Sequence, residues 1–148
     1  MITIEKQNES VNVSDLAQHI SVVLTDVYGV SPWSLEQIKK DILHPLTVYM
    51  LAWDETSLVG FLAFQTTEYE IEILQIAVAK HYQKQKIATK LFQSLPVEKA
   101  IFLEVRESNQ TALSFYKKEQ FKEIGRRKDY YKKPIEDAII MKRESHER

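Results

Sequence analysis

One carboxylate lies inside an otherwise apolar segment and is the first candidate for a functional side chain. Glu104 lies between Leu103 and Val105 in the segment AIFLEVR, so strand alternation puts it on the face opposite to these two neighbours. A carboxylate in a mostly buried strand is costly unless it is paired or used. Two interpretations stay open, namely an ion pair with Arg106, two residues along on the same face, or a functional carboxylate.

A basic turn between a strand and a helix is the second candidate. The segment Ile71–Val78 is dense in apolar residues and predicts a strand covered on both faces. The turn Ala79–Lys86 carries three lysines and one histidine and no acidic residue, and helical spacing follows until Pro96. A helix N-terminus presents unpaired N–H groups and a partial positive charge, so such a turn suits a phosphate group. The alternative is a solvated loop on an ordinary strand–helix unit.

A tyrosine and an asparagine share one side of a predicted helix. Tyr116 follows Asn109 by seven residues, which is two helical turns. Taken by itself, Tyr116 fits a core aromatic residue with a satisfied hydroxyl group better than a functional residue.

The segment Lys122–Lys133 combines six basic residues with Tyr130 and Tyr131. Basic residues mixed with aromatic ones can bind single-stranded nucleic acid, but they also fit the solvated flank of a β-hairpin or a surface for an acidic partner. The net charge of −1 and the pI of about 6.4 argue against a nucleic-acid footprint over the whole protein. We expect no direct nucleic-acid partner.

Composition bounds the class of protein. The 148 residues, 44% hydrophobic, fit one domain with a real core (residues 1–148), and no apolar run approaches the roughly 20 residues of a membrane helix. We therefore expect a cytoplasmic protein without a membrane partner. No metal is expected, because the chain has no cysteine and its four histidines lack metal-ligand spacing; these are His19, His44, His81 and His146.

The elements that would position these groups follow from the apolar periodicity. The helices are predicted after Ser14, after the capping pair Ser34 and Gln37, after the basic turn and from Asn109 to Glu119. Besides Ile71–Val78, strands are predicted at Ile2–Lys6, Leu46–Trp53, Leu58–Thr67, Ala100–Arg106, Phe121–Arg127 and Glu136–Lys142. The strand–helix–strand order in the middle implies a parallel crossover. The class is α/β or α+β, with a mixed sheet of six or seven strands and about four helices.

The joint spacing of these motifs resembles the GNAT acetyltransferase superfamily, and within it the RimI-type ribosomal-protein-alanine N-acetyltransferases. The resemblance runs from Pro32 to Met141. Its motifs are ILQIAV, Gln83-x-x-x-x-Ala88, LEVR, Asn109-x-x-Ala112-x-x-Phe115-Tyr116, Phe121 and EDAIIM. It implies a mixed, mostly antiparallel sheet that is splayed open between the two central parallel strands, which carry Ile76 and Glu104.

The resemblance also implies an activity and a set of site residues. The expected protein is an acetyl-CoA-dependent N-acetyltransferase that modifies a protein N-terminus, such as the N-terminal alanine of a ribosomal protein. Glu104 would be the base and Tyr116 the acid. Acceptor contacts would come from Trp33, Tyr130 and Tyr131, in a groove between the Pro32-Trp33 link and the two tyrosines. The cofactor contacts implied are Ile76, Ala77, Val78, Gln83, Lys84, Gln85, Lys86, Ile87, Ala88, Asn109 and Ala112.

Two departures from the family pattern keep other functions open. Lys86 and Gln120 stand where the family has glycine, and a left-handed backbone at a non-glycine residue costs roughly 1–2 kcal/mol. The alternatives are a catalytically weak or inactive CoA-binding module, an acetyltransferase of a small amine or of lysine, and an RNA-binding protein. The retained Glu104 and Tyr116 favour the enzyme.

Overall fold

The computed structural model of the chain describes residues 1–8 and 12–145. His146 lies outside the described residues. The seven strands of the described residues are β1 Ile2–Lys6, β2 Thr47–Asp54, β3 Ser57–Thr66, β4 Glu70–Val78, β5 Ala100–Arg106, β6 Lys122–Lys132 and β7 Ile135–Arg143. Their helices are α1 Val13–Tyr28, α2 Leu35–Leu43, α3 Ile87–Gln93 and α4 Gln110–Lys118, together with a 3₁₀ helix at Lys80–Tyr82.

The strands form one mixed, mostly antiparallel sheet in the order β1-β2-β3-β4-β5-β7-β6. The predicted fold class, a mixed sheet of six or seven strands with about four helices, is thereby confirmed. By its internal contacts the chain divides into a first unit, Met1–Thr66 with Leu74–Leu95, and a second unit, Thr67–Ile73 with Pro96–Arg148. The organisation of the whole chain as one domain stays a prediction.

Helices α1 and α2 cover one face of the first unit's strands. Buried residues of both helices share a hydrophobic cluster with Tyr49 and Phe61 of the hairpin strands. Helix α1 begins after Asn12, whose side chain accepts a hydrogen bond from the backbone N–H of Asp15, so the predicted start at Ser14 is wrong by two residues. It ends at Gly29, whose positive φ of +79° is one that glycine adopts without strain.

The capping pair and the hairpin of the first unit are as predicted. Ser34 and Gln37 form a reciprocal capping box at the start of α2. Strands β2 and β3 pair antiparallel, from Asp54 opposite Ser57 to Thr47 opposite Gln65. On β3, a Cβ atom at Gly60 would lie 3.2 Å from the backbone oxygen of Ala77 on β4. Glycine at this position therefore permits a close approach of the two backbones.

The second unit contains the predicted parallel pairing. Residues Glu70–Glu72 of β4 pair in parallel with Ala100–Phe102 of β5, while β7 pairs antiparallel with both β5 and β6. Strand β6 runs to Lys132, so the predicted end at Arg127 is wrong. It is an edge strand exposed along almost its whole length. Its sequence therefore has no apolar alternation from which the end could be predicted. No helix of the described residues has the length and hydropathy needed to cross a membrane.

Candidate active site

The basic turn of the first unit begins where β4 ends. The side-chain amide of Gln83 donates a hydrogen bond to the backbone oxygen of Val78 (2.9 Å), which closes the turn. Lys84 and Lys86 both have left-handed backbones, with φ of 65° and 63°. Helix α3 then starts at Ile87 without a side-chain cap at Lys86. The predicted phosphate-binding residues thus form one short, strongly basic connection.

Two carboxylates hold this turn from outside its own sequence. The backbone N–H of Lys80 donates to Oδ2 of Asp26 on α1 (2.7 Å), and the hydroxyl of Tyr82 donates to Oδ2 of Asp54 on β2 (2.7 Å). The hydrogen bond to Asp54 is the main cause of a raised pKa at Tyr82. Sequence reasoning missed both anchors, because no local pattern links residues that lie 54 and 28 positions apart.

The left-handed backbones predict a gain in stability from glycine. The positions that are glycine in the family, Lys86 and Gln120, have φ of 63° and 73°. Changing either to glycine should raise the free energy of unfolding by about 1 kcal/mol, and the melting temperature by about 3 °C. Gln85→Gly is the matched control, since Gln85 has no positive φ and glycine there should only destabilise. Thermal unfolding of the three variants checks this, and equal behaviour of Lys86→Gly and Gln85→Gly would contradict it.

Glu104 of the second unit pairs with an arginine that its own strand does not supply. Arg127 on β6 places its Nε atom 3.0 Å from Oε2 of Glu104. This oxygen is buried and accepts no hydrogen bond within residues 1–8 and 12–145, so the two charges attract without a well-aligned hydrogen bond. The predicted alternative partner, Arg106, instead contacts Glu136 at 3.1 Å. Glu104 therefore has a charged neighbour but retains an unsatisfied oxygen.

Helix α4 carries Tyr116 into the interior of the second unit. Its N-cap is Asn109, whose Oδ1 atom accepts a hydrogen bond from the backbone N–H of Ala112 (3.1 Å). Tyr116 is only 7% exposed. Its ring meets the rings of Phe115 and Phe121 edge-on, at centroid distances of 5.6 and 5.8 Å. The packing accounts for the ring, so the acid role of the hydroxyl group stays a prediction.

Tyr130 and Tyr131 belong to the same unit as Glu104. Burial and then the negative charge of Glu104 raise the pKa of Tyr131 to about 12, so its phenol is protonated at neutral pH. The Arg106 guanidinium lies 4.3 Å from the centre of the Tyr131 ring, and that of Arg127 lies 5.4 Å from the Tyr130 ring. The base candidate therefore acts electrostatically on Tyr131, while Tyr130 lies against Arg127, the partner of Glu104.

The predicted site residues fall into two groups. The first unit holds Trp33, Ile76, Ala77, Val78, Gln83, Lys84, Gln85, Lys86, Ile87 and Ala88, and the second holds Glu104, Asn109, Ala112, Tyr116, Tyr130 and Tyr131. Trp33 packs partly buried against the core of the first unit, and its contact with an acceptor stays a prediction. Arg127 is the charged neighbour of Glu104 that the sequence did not predict. In the described part of the chain no cluster of three or more His, Asp or Glu side chains could hold a metal ion.

Comparison with solved structures supports the fold. The crystal structure of the ribosomal-protein-S18-alanine N-acetyltransferase from Escherichia coli superimposes with a TM-score of 0.84 at 23% identity, covering 100% of this chain and 97% of that one. A GNAT family acetyltransferase from Elizabethkingia anophelis, solved with acetyl-CoA bound, superimposes with a TM-score of 0.74 at 22% identity, covering 97% of each chain.

Sequence comparison identifies the family. The N-alpha-acetyltransferase RimI of Mycobacterium tuberculosis is 30% identical, with 79% of this chain and 78% of the relative covered. The ribosomal protein bS18-alanine N-acetyltransferase of Haemophilus influenzae is 31% identical, with 74% and 80% covered. The chain spans only 34% of a third relative, an uncharacterized protein of Mycobacterium leprae that is 31% identical over 79% of this chain. A model of the acetyltransferase (GNAT) domain matches residues 45–123, and the chain therefore belongs to the GNAT acetyltransferase family.

Proposed function

We propose that this chain transfers the acetyl group of acetyl-CoA to the α-amine of a protein N-terminus. The observation that carries the proposal is the unsatisfied, buried oxygen of Glu104 in a GNAT domain. A buried carboxylate with an unused lone pair can accept a proton from a nitrogen nucleophile. Arg127 lies 3.0 Å from the same oxygen but is 57% exposed, so water can solvate the guanidinium group when the carboxylate takes up a proton.

The proposed reaction uses Glu104 and Tyr116 in opposite roles. An N-terminal α-amine has a pKa of roughly 7.7–8.0 and is largely protonated at neutral pH. Glu104 takes up its proton, directly or through water, so that the nitrogen lone pair can attack the thioester carbon. The C–N bond forms first, and the tetrahedral intermediate then collapses with cleavage of the C–S bond. The phenol of Tyr116 protonates the departing thiolate, and the second proton of the nitrogen, released as the amide forms, returns to the phenolate through water, while Glu104 releases its proton to solvent. A backbone N–H of the segment Ile76–Val78 meets the oxyanion that develops on the thioester oxygen.

Acetyl-CoA fits the basic turn of the first unit. Lys84 and Lys86 bring positive charge to a connection without acidic residues, next to the start of α3. Phosphate groups are favoured in such surroundings. We assign the pyrophosphate to Gln83–Ala88 and the pantetheine arm to the backbone of Ile76, Ala77 and Val78. Contacts of Asn109 and Ala112 with the cofactor stay predictions from the family resemblance.

A peptide suits the acceptor side better than a polyamine does. The segment Lys122–Lys133 is basic, and a small polycation would need acidic surroundings. Tyr130 and Tyr131 offer rigid aromatic surface to a peptide at little entropic cost, and contact of Trp33 with the acceptor stays a prediction. The names of the relatives from Haemophilus influenzae and Escherichia coli point to the N-terminal alanine of ribosomal protein bS18 as the first acceptor to test. We also propose that the protein acts in the cytoplasm.

The function is tested by comparing three acceptors. We expect kcat/KM to be highest for an alanine-initiated peptide with the bS18 N-terminal sequence, lower for spermidine, and abolished when the N-terminus of the peptide is blocked. Preference for spermidine, or equal acetylation of the blocked peptide at a lysine, would contradict the proposed acceptor. Calorimetry with acetyl-CoA separates the remaining alternative, because binding without turnover of any amine would identify a non-catalytic CoA-binding module.

A further inference from the structure

We propose that Arg106 is a positioning residue, which together with Glu136 holds Tyr131 and the residues leading into α4 in one fixed arrangement. The inference rests on the proposed function, because it assigns Tyr131 to the acceptor and Asn109 to acetyl-CoA. All residues involved belong to the second unit. The predicted consequence is that a single side chain sets the affinity for the acceptor without taking part in proton transfer.

Arg106 first fixes the turn between β6 and β7. Its Nη1 atom donates to Oε1 of Glu136 and to the backbone oxygen of Pro134, both at 3.1 Å. Its Nη2 atom donates to the backbone oxygen of Lys133 at 3.4 Å. The side chain is 34% exposed and that of Glu136 only 15%. Two acceptors from the turn and one from the start of β7 therefore converge on one guanidinium group, which is shielded from much of the solvent.

The same guanidinium covers the ring of Tyr131. Its central carbon lies 4.3 Å from the ring centroid, which is a cation–π distance. Tyr131 stands in β6 just before the turn that Arg106 holds, opposite Glu136 on β7. The ring of Tyr131 is thus held by the guanidinium group of Arg106 over its face and by its own backbone in the β6–β7 hairpin.

Glu136 extends the arrangement to the start of α4. Its Oε2 atom accepts a hydrogen bond from the backbone N–H of Ser108 at 2.6 Å. Hydrogen bonding from Ser108, and then from Arg106, keeps the pKa of the Glu136 carboxyl below its usual value. Ser108 immediately precedes Asn109, whose own N–H donates to the backbone oxygen of Arg106 at 3.0 Å. The N-cap of α4 and the β6–β7 turn are therefore tied to the same ion pair.

The arrangement requires arginine and not merely a positive charge. Only a planar guanidinium can donate to several acceptors in one plane while its face lies on an aromatic ring. The charge of Glu104 is met by Arg127 and not by Arg106. Arg106 can therefore be altered without removing the charged partner of the proposed base.

The test separates acceptor binding from turnover. Loss of charged hydrogen bonds and of the ring contact in Arg106→Lys should raise KM for the alanine-initiated peptide about tenfold, with kcat little changed. Glu136→Gln, which weakens the contacts to both Arg106 and Ser108, should raise KM for the peptide and for acetyl-CoA. Glu144→Gln is the control, since it removes an ion pair with Lys142 at the end of β7 and should alter neither constant. A wild-type KM for the peptide in Arg106→Lys would overturn the inference.

A double-mutant cycle tests the contact itself. Arg106→Lys and Tyr131→Leu should together raise KM for the peptide by less than the product of their single effects, because each removes the same contact. Independent effects would show that Arg106 acts elsewhere.

A measurement without turnover keeps this inference distinct from the proposed function. Hydrogen exchange at the Ser108 amide should accelerate in Arg106→Lys but not in Glu144→Gln, because Glu136 loses the partner that holds it against Ser108. Failure of the wild-type chain to acetylate any amine would contradict the proposed function only. Unchanged exchange at Ser108 in Arg106→Lys would contradict the positioning role, whether or not the chain is active.

Discussion

Replacing Glu104 with glutamine is expected to lower kcat for the alanine-initiated peptide by about 10²–10⁴-fold, the usual contribution of a general base. The affinity for acetyl-CoA should stay nearly unchanged, because proton transfer from the amine occurs only on the way to the transition state. Glutamine keeps the shape of the side chain but cannot accept the proton. Single-turnover kinetics with saturating acetyl-CoA, together with calorimetry of acetyl-CoA binding, would measure the two quantities separately.

The fold should tolerate this substitution. The partner Arg127 is 57% exposed, so it can be solvated when the carboxylate is neutralised, and such partly exposed ion pairs contribute little to stability. Glu123→Gln provides the control, because Glu123 is an exposed carboxylate of β6 that pairs loosely with Lys117 at 3.8 Å. It should retain wild-type kcat. If Glu104→Gln matched it at every pH tested, Glu104 would not be the base.

The sequence correctly predicted helix ends whose capping groups lie next to them in the chain. The capping box of Ser34 and Gln37 and the glycine that ends α1 use only neighbouring residues, and the structure contains both. The same applies to Asn109, whose side chain caps α4. The left-handed backbones at Lys86 and Gln120 agree with the expectation drawn from the glycines of the family. For the three caps the information lies within a few residues of the feature, whereas the left-handed backbones were expected from the family pattern.

The neighbours of the proposed base could not be predicted in this way. Simple alternation made Arg106 the natural partner of Glu104, but that arginine is taken by Glu136. The actual partner, Arg127, lies on β6, where the register against β7 shifts between Arg127 and Tyr131. A β-bulge changes which side chains face each other, and the sequence of one strand does not reveal where its partner bulges. Charge pairing across strands was therefore beyond sequence reasoning.

The anchors of the basic turn illustrate a related limit. Asp26 and Asp54 lie on a helix and a hairpin that were both predicted, yet neither residue had a local feature that marked it. Their hydrogen bonds to Lys80 and Tyr82 arise only when α1 and β2 are packed in the first unit. Correct prediction of the secondary structure was therefore not enough to predict the hydrogen bonds that hold the basic turn.

Tyr116→Phe should also lower kcat by about 10²–10⁴-fold, if the phenol protonates the departing thiolate. Phenylalanine preserves the edge-on contacts with Phe115 and Phe121 and removes only the hydroxyl group. The matched control is Tyr49→Phe in the first unit, where a fully buried tyrosine donates to Oδ2 of Asp41 at 2.5 Å.

The two substitutions should affect different quantities. Tyr49→Phe removes a hydrogen bond to a carboxylate and should lower the free energy of unfolding by about 1–3 kcal/mol, with kcat nearly intact. Tyr116→Phe should lower kcat at an acetyl-CoA affinity close to that of the wild type. Steady-state kinetics and chemical denaturation of both variants make the comparison. If kcat of Tyr116→Phe equals that of Tyr49→Phe, the buried phenol of α4 serves packing alone, and the thiolate must take its proton from another donor or from water.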